Sequence, residues 1–248
     1  MLDAYRQRKR KRKPRSKSYR FTNRAIVLLC TAWLLLIFFP HPLFAHSIRV
    51  AEFRIYSDRP IPEEISEVIR DADSKLRQSV FFDEGETFSI FIAQDGWRRR
   101  LLNPRAANAF GAGFKFTGNT VLNRCDIGND MCFNDRPRFN ERPLHAVIAH
   151  ECTHHLLASR LGLVRYFRLP TWKNEGYCEY VAGGSSFEHD RGMRILRTGR
   201  SENSPSFKYF TFLLAVRSAL DDRGMTTDEL FEEDLDFESL LQSAVNGS

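Results

Sequence analysis

The apolar positions of this chain follow several distinct rhythms. The first is continuous: AIVLLCTAWLLLIFF, residues 25–39, contains no charge, and PHPLFA extends the weakly polar stretch to Ala45. RVAEFRIY, residues 49–56, alternates apolar and polar side chains, which predicts a half-buried strand ended by RPIPEE. Ile65, Val68, Ile69, Leu76 and Val80 then recur at helical spacing behind an acidic first turn, predicting a helix within 61–82. TFSIFIA, residues 87–93, predicts a second strand, and DGWRRRLL opens a short helix. GAGFKF and NTVLN, divided by TGN, predict a hairpin over about 112–123, with residues 125–138 as loop.

The second half of the chain reads as helices. FNERPLHAVIAHECTHHLLASRLGL has Asn140 as a candidate cap, Pro143 in its first turn and Gly162 as its stop. Its many apolar residues (Leu144, Val147, Ile148, Leu156, Leu157) predict a buried helix. Another helix runs from about Trp172 through Val181 and stops at Gly183 and Gly184; further helices are expected at about 206–222 and 226–243. Strands first and helices afterwards predict an α+β fold, a small, mostly N-terminal sheet packed on a helical layer.

The 248 residues, 42% hydrophobic and 27% charged, are those of one globular domain with an appendage. The net charge of +6 changes meaning once it is located. Residues 1–24 hold eleven Lys or Arg and one Asp, leaving 26 basic and 30 acidic residues in the remainder. That body is slightly acidic and carries no electrostatic footprint for nucleic acid. A basic tail running into an apolar segment instead predicts a membrane span. The positive-inside rule keeps residues 1–24 cytoplasmic, makes 25–45 the anchor and places 46–248 on the extracytoplasmic side, periplasmic or extracellular. A cleaved signal peptide is the alternative; LFA before His46 is an imperfect cleavage site because Leu43 is large. Cys125, Cys132, Cys152 and Cys178 lie beyond the span, and Cys125 and Cys132, flanking CDIGNDMC, are either free thiols or a small disulfide loop.

The chemistry concentrates in HECTHH, residues 150–155. On a helix, His150 and His154 lie one turn apart on the same face and can share one metal, while Glu151 is offset toward a metal-bound water. A catalytic zinc wants a third protein ligand. The metzincin continuation is absent, since Leu157 and Arg160 occupy its places. Downstream, LPTWKNEGYCEY supplies Glu175, 21 residues after His154 on a separate predicted helix, and Glu179 one turn later. His189 is a second candidate for the third ligand, and Glu179 reads alternatively as a surface acid or a ligand. His155 points about 100° away from His154 and reads as structural, and the Cys152 side chain points away from the metal face.

HECTHH followed by WKNEGYCEY resembles the gluzincins, the thermolysin-like and aminopeptidase N-like zinc metallopeptidases. The likeness covers roughly residues 110–182. It implies Zn²⁺ held by His150, His154 and Glu175, with Glu151 as general base and acid and Glu179 supporting a ligand histidine. It also implies that Tyr209, on a later helix, returns over the site as an oxyanion donor; a core aromatic is the other reading of that residue. GAGFKFTGNTVLN resembles the strand that borders the cleft of such enzymes. A GAMEN-type element, which reads a free amine in aminopeptidases, is absent. The expected activity is hydrolysis of peptide bonds in a protein or peptide substrate outside the cytoplasm. The competing expectation is a catalytically silent metal-binding or assembly module of the same fold. An intramembrane protease is excluded by placement, because HECTHH lies about a hundred residues past the apolar span.

Overall fold

The computed structural model describes residues 17–104, 108–137 and 139–247. The chain separates into two units, one ending at Pro40 and one beginning at His41. In the first, helix α1 (Lys17–Phe38) is 22 residues long. Its segment Phe21–Phe38 has a mean hydropathy of 1.9 and leaves its apolar side chains exposed. Eighteen helical residues rise about 27 Å, close to the roughly 30 Å of a bilayer's hydrocarbon core. The helix is long and apolar enough to be a membrane anchor or a signal sequence. Of the basic tail of residues 1–24, residues 1–16 lie outside the described residues and 17–24 begin α1.

The expected span of 25–45 needs correction at its end. Residues His41–Leu43 form a 3-10 turn of the second unit. Phe44 is buried there, its ring 5.2 Å from that of Phe91, and the Leu43 carbonyl accepts from Arg98 Nε at 2.8 Å.

The second unit is α+β. Strands β1 (His46–Val50) and β2 (Phe53–Ser57) form an antiparallel hairpin. One strand was expected over 49–56; the chain instead turns at Ala51, whose φ is 49°. Helix α2 (Ile65–Leu76) crosses from β2 to the parallel strand β3 (Phe88–Ile92). It buries Ile65, Val68, Ile69, Ala72 and Leu76, one helical face. Helix α3 (Gly96–Leu102) precedes the hairpin of β4 (Gly111–Phe114) and β5 (Asn119–Leu122). The sheet order is β1-β2-β3-β5-β4, so β4 is an edge. Residues 125–138 are not all loop: β6 (Cys125–Asp126), β7 (Met131–Phe133) and β8 (Glu141–Pro143) make a second, three-stranded sheet. Strands this short show no alternation to read in a sequence.

Helix α4 (Leu144–Leu161) is the centre of the unit, with twelve of its residues buried. Its N-terminus differs from expectation. Asn140 does not cap it; β8 runs to Pro143, and Asp130 caps the helix from outside. Asp130 accepts the Leu144 N–H on its carbonyl and the His145 N–H on its carboxylate, both at 2.9 Å. After the short α5 (Leu163–Tyr166), helix α6 (Thr171–Ala182) folds back against α4 and ends at Gly183. Helix α7 (His189–Arg197) leads to α8 (Pro205–Arg217), which packs on α6 and continues into a π turn over Ser218–Asp222. The helix expected over 226–243 is two, α9 (Thr227–Glu232) and α10 (Phe237–Gly247).

The main core joins Phe53, Ile55, Phe88, Ile90 and Ile92 of the sheet to α2, α4 and α6. Each such side chain contributes about 1.5–3 kcal/mol when fully buried. Gly176 sets the spacing of α6 against α8: a Cβ there would stand 2.6 Å from the Phe212 carbonyl oxygen.

Candidate metal centre

Two helices supply the site. In α4 the i, i+4 spacing puts His150 and His154 on one face, with ring centroids 4.9 Å apart. The chain reversal between α4 and α6 carries Glu175 to that face. Glu175 Oε2 lies 3.4 Å from His150 Nε2 and 3.5 Å from His154 Nε2. All three donor atoms lie within 4.8 Å of one another.

The other ring nitrogens are occupied from behind. His154 Nδ1–H donates to Asn174 Oδ1 at 3.0 Å, with Tyr166 Oη and Cys178 Sγ each 3.2 Å away. His150 Nδ1 stands 3.3 Å from Glu179 Oε1, close enough for an ion pair but not aligned as a hydrogen bond. Glu179 is itself gripped by Arg142 of β8, whose Nη1 and Nη2 donate to its two oxygens at 3.0 and 2.7 Å. Arg142 Nη2 also donates to the Gly184 carbonyl at 2.7 Å.

The protonation of the cluster follows from these neighbours. Burial disfavours a charged His150, but Glu179 and Glu175 outweigh it and raise the ring to about 9. His154 is lowered, first by burial and then by Lys115. Burial opposes the charge of Glu175, yet His154 and His150 hold it well below the usual carboxylate range. Two imidazole nitrogens and a carboxylate oxygen, with Asn174 behind His154 and Glu179 behind His150, could hold a metal ion.

Glu151 leaves the ligand face and points into the adjoining cleft, a cavity of about 240 Å³. Its Oε2 accepts the Gly113 N–H of the edge strand β4 at 2.9 Å. A Cβ on Gly113 would stand 3.3 Å from the Glu151 carbonyl oxygen and 3.5 Å from Oε2, so glycine lets β4 come this close to α4. Tyr209 of α8 lines the same cleft, nearly parallel to the His150 ring with centroids 6.4 Å apart. Burial, and then Glu175, raise the Tyr209 phenol above its ordinary range and keep it protonated.

The remaining candidates lie elsewhere. His155 faces Glu86 at 3.5 Å and packs edge-on against Phe88. His189 sits edge-on to Phe210 on α7 and is not among the three convergent donors. Cys152 is fully buried in the main core. Three contributors were missed from sequence: Asn174, Arg142 and Gly113. Asn174 and Gly113 had signals, one next to Glu175 and the other within the GAGFKF strand; Arg142 is joined to its partner by tertiary contact alone. No protein-family model matches the chain, and no curated protein does.

Proposed function

We propose that the chain is a gluzincin-type zinc metallopeptidase that cleaves protein or peptide substrates. One observation carries the reading: both histidine Nε2 atoms face a single Glu175 oxygen, beside a glutamate pinned to an edge strand. His150, His154 and Glu175 would hold the ion. When bound, such an ion polarises a carbonyl and lowers the pKa of a coordinated water toward neutrality.

The chain's own residues account for the rest. Gly113 fixes Glu151 through Oε2, which leaves Oε1 to take the proton of the attacking water and return it to the leaving amine. Tyr209, protonated and lining the cleft, is the donor for the oxyanion. Edge strand β4, whose Gly113 N–H is taken by Glu151, would pair an extended peptide through its remaining outward backbone groups.

The helix Phe21–Phe38 would retain the protein in a membrane with the folded unit extracytoplasmic. Cleavage after Ala45 would remove Phe44 from its packing on Phe91, which favours an uncleaved anchor. Zinc content and casein cleavage by the parent and by Glu151→Gln test the reading. A parent that holds zinc and cleaves nothing across a broad peptide library supports the silent module instead.

A further inference from the structure

Three cationic side chains line the cleft: Lys115, Arg136 and Arg142. Arg142 is committed to Glu179. Lys115, which follows β4, holds its ammonium over the Tyr166 ring, 5.9 Å from the centroid. Arg136 is placed differently. Its backbone N–H donates to Asn134 Oδ1 at 2.9 Å, but its half-buried guanidinium enters no ion pair among the described residues. Glu202, which lines the second cavity with Arg136, is occupied by Arg191 at 2.6 Å.

Arg136 also has a particular place. Together with Pro205 and Ser206 it lines both the metal cleft and a second cavity, which continues past Pro137 and Phe139. A chain leaving the metal for the second cavity passes this guanidinium. A planar, partly desolvated guanidinium without a carboxylate is a receptor for one, since charge-assisted paired hydrogen bonds favour that geometry. The 26 basic and 30 acidic residues after residue 24 make the body net acidic, so the attraction is local to the cleft.

We infer that Arg136 is a specificity residue that receives a carboxylate of the peptide substrate, from an acidic side chain or from the C-terminus. The inference rests on the peptidase reading for its substrate class. The test uses the full chain in detergent, zinc-loaded, as the Glu151→Gln variant so that bound peptide persists. Fluorescein-labelled peptides of one neutral backbone are compared in two pairs. One pair carries Glu or Gln, scanned through the central positions of an amidated peptide; the other carries a free or an amidated C-terminus. The carboxylate member of at least one pair should bind roughly tenfold tighter or more. The pair that responds identifies the source of the carboxylate. Adding Arg136→Gln should erase the difference and leave the neutral peptides unchanged. Equal binding within both pairs overturns the inference. So does a preference that survives Arg136→Gln, or a variant that weakens neutral and acidic peptides alike. Cleavage by the parent is read separately. No cleavage with the preference intact sinks the peptidase reading and leaves an acidic-peptide site; cleavage without preference sinks only the role of Arg136.

Discussion

Arg142 and Glu179 form a buried bidentate pair, with N–O distances of 3.0 and 2.7 Å, directly behind His150. Burial alone would raise the Glu179 carboxyl, but Arg142 and then His150 outweigh it and hold it below its ordinary value. A group whose folded pKa is depressed stabilises the fold above its unfolded pKa, about 4.3 for Glu, and loses that stabilisation as pH falls through the folded value. Arg142→Met leaves the buried carboxylate with only His150 beside it and should cost about 3–5 kcal/mol at neutral pH. The gap between parent and variant should narrow in acid, where Glu179 is protonated in both. Urea titrations at pH 7 and below pH 4 measure this; a gap that is constant with pH rules out the pair as its cause.

The ligand assignment predicts one zinc per chain. Because an ion that binds only the folded state raises its stability, zinc should lift the parent's Tm and a chelator should lower it. The double variant His150→Ala/His154→Ala should bind no zinc and show no such response. Glu175→Gln, which keeps a neutral oxygen donor, should bind much more weakly. Full occupancy of the double variant by elemental analysis would falsify the assignment.

Glu151→Gln keeps the size of the side chain and loses its basicity. The variant should fold, hold zinc as the parent does, and lose about 10²–10⁴ or more of its peptide cleavage. Comparable turnover of casein by the two proteins sinks the role of general base.

Gly176→Ala probes the packing of α6 on α8. The added methyl would meet the Phe212 carbonyl oxygen at 2.6 Å and Val216 Cγ2 at 2.7 Å, and neither atom is the end of a flexible side chain. A loss of about 1–3 kcal/mol is expected, as for overpacked cores. Glu175 should be displaced with its helix, so zinc affinity should fall alongside stability. A variant with parental Tm and affinity shows that the helices part without cost.

Cys125 and Cys132 are opposed across β6 and β7 as buried free thiols, with Sγ atoms 3.4 Å apart. The proposed extracytoplasmic placement would expose them to thiol-oxidising machinery. Protein recovered from its own compartment should then carry a Cys125–Cys132 disulfide, seen by mass spectrometry as the loss of two hydrogens and resistance to alkylation until reduced. Free thiols at both positions, with the second unit shielded from protease added outside sealed cells, reverse the topology.

What could be read from the chain was what depends on near neighbours. The i, i+4 pair His150 and His154 needed only a helix, and the buried pattern around Ile148 and Leu156 announced one. The N-terminal apolar helix, the α2 face, the β4–β5 hairpin and the helix carrying Glu175 are likewise written in the local sequence pattern. Prediction weakened where a distant segment decides. Asp130 rather than Asn140 caps α4 because the second sheet brings it there, and strands of two or three residues leave no pattern. Phe44 looked like the end of a membrane span, since an apolar side chain suits lipid and a protein core equally. The tertiary structure alone pairs Arg142 with Glu179, 37 residues apart, and sets Gly113 against Glu151, 38 apart. Spacing along a helix follows from covalent geometry, whereas these contacts exist only once the whole core has closed.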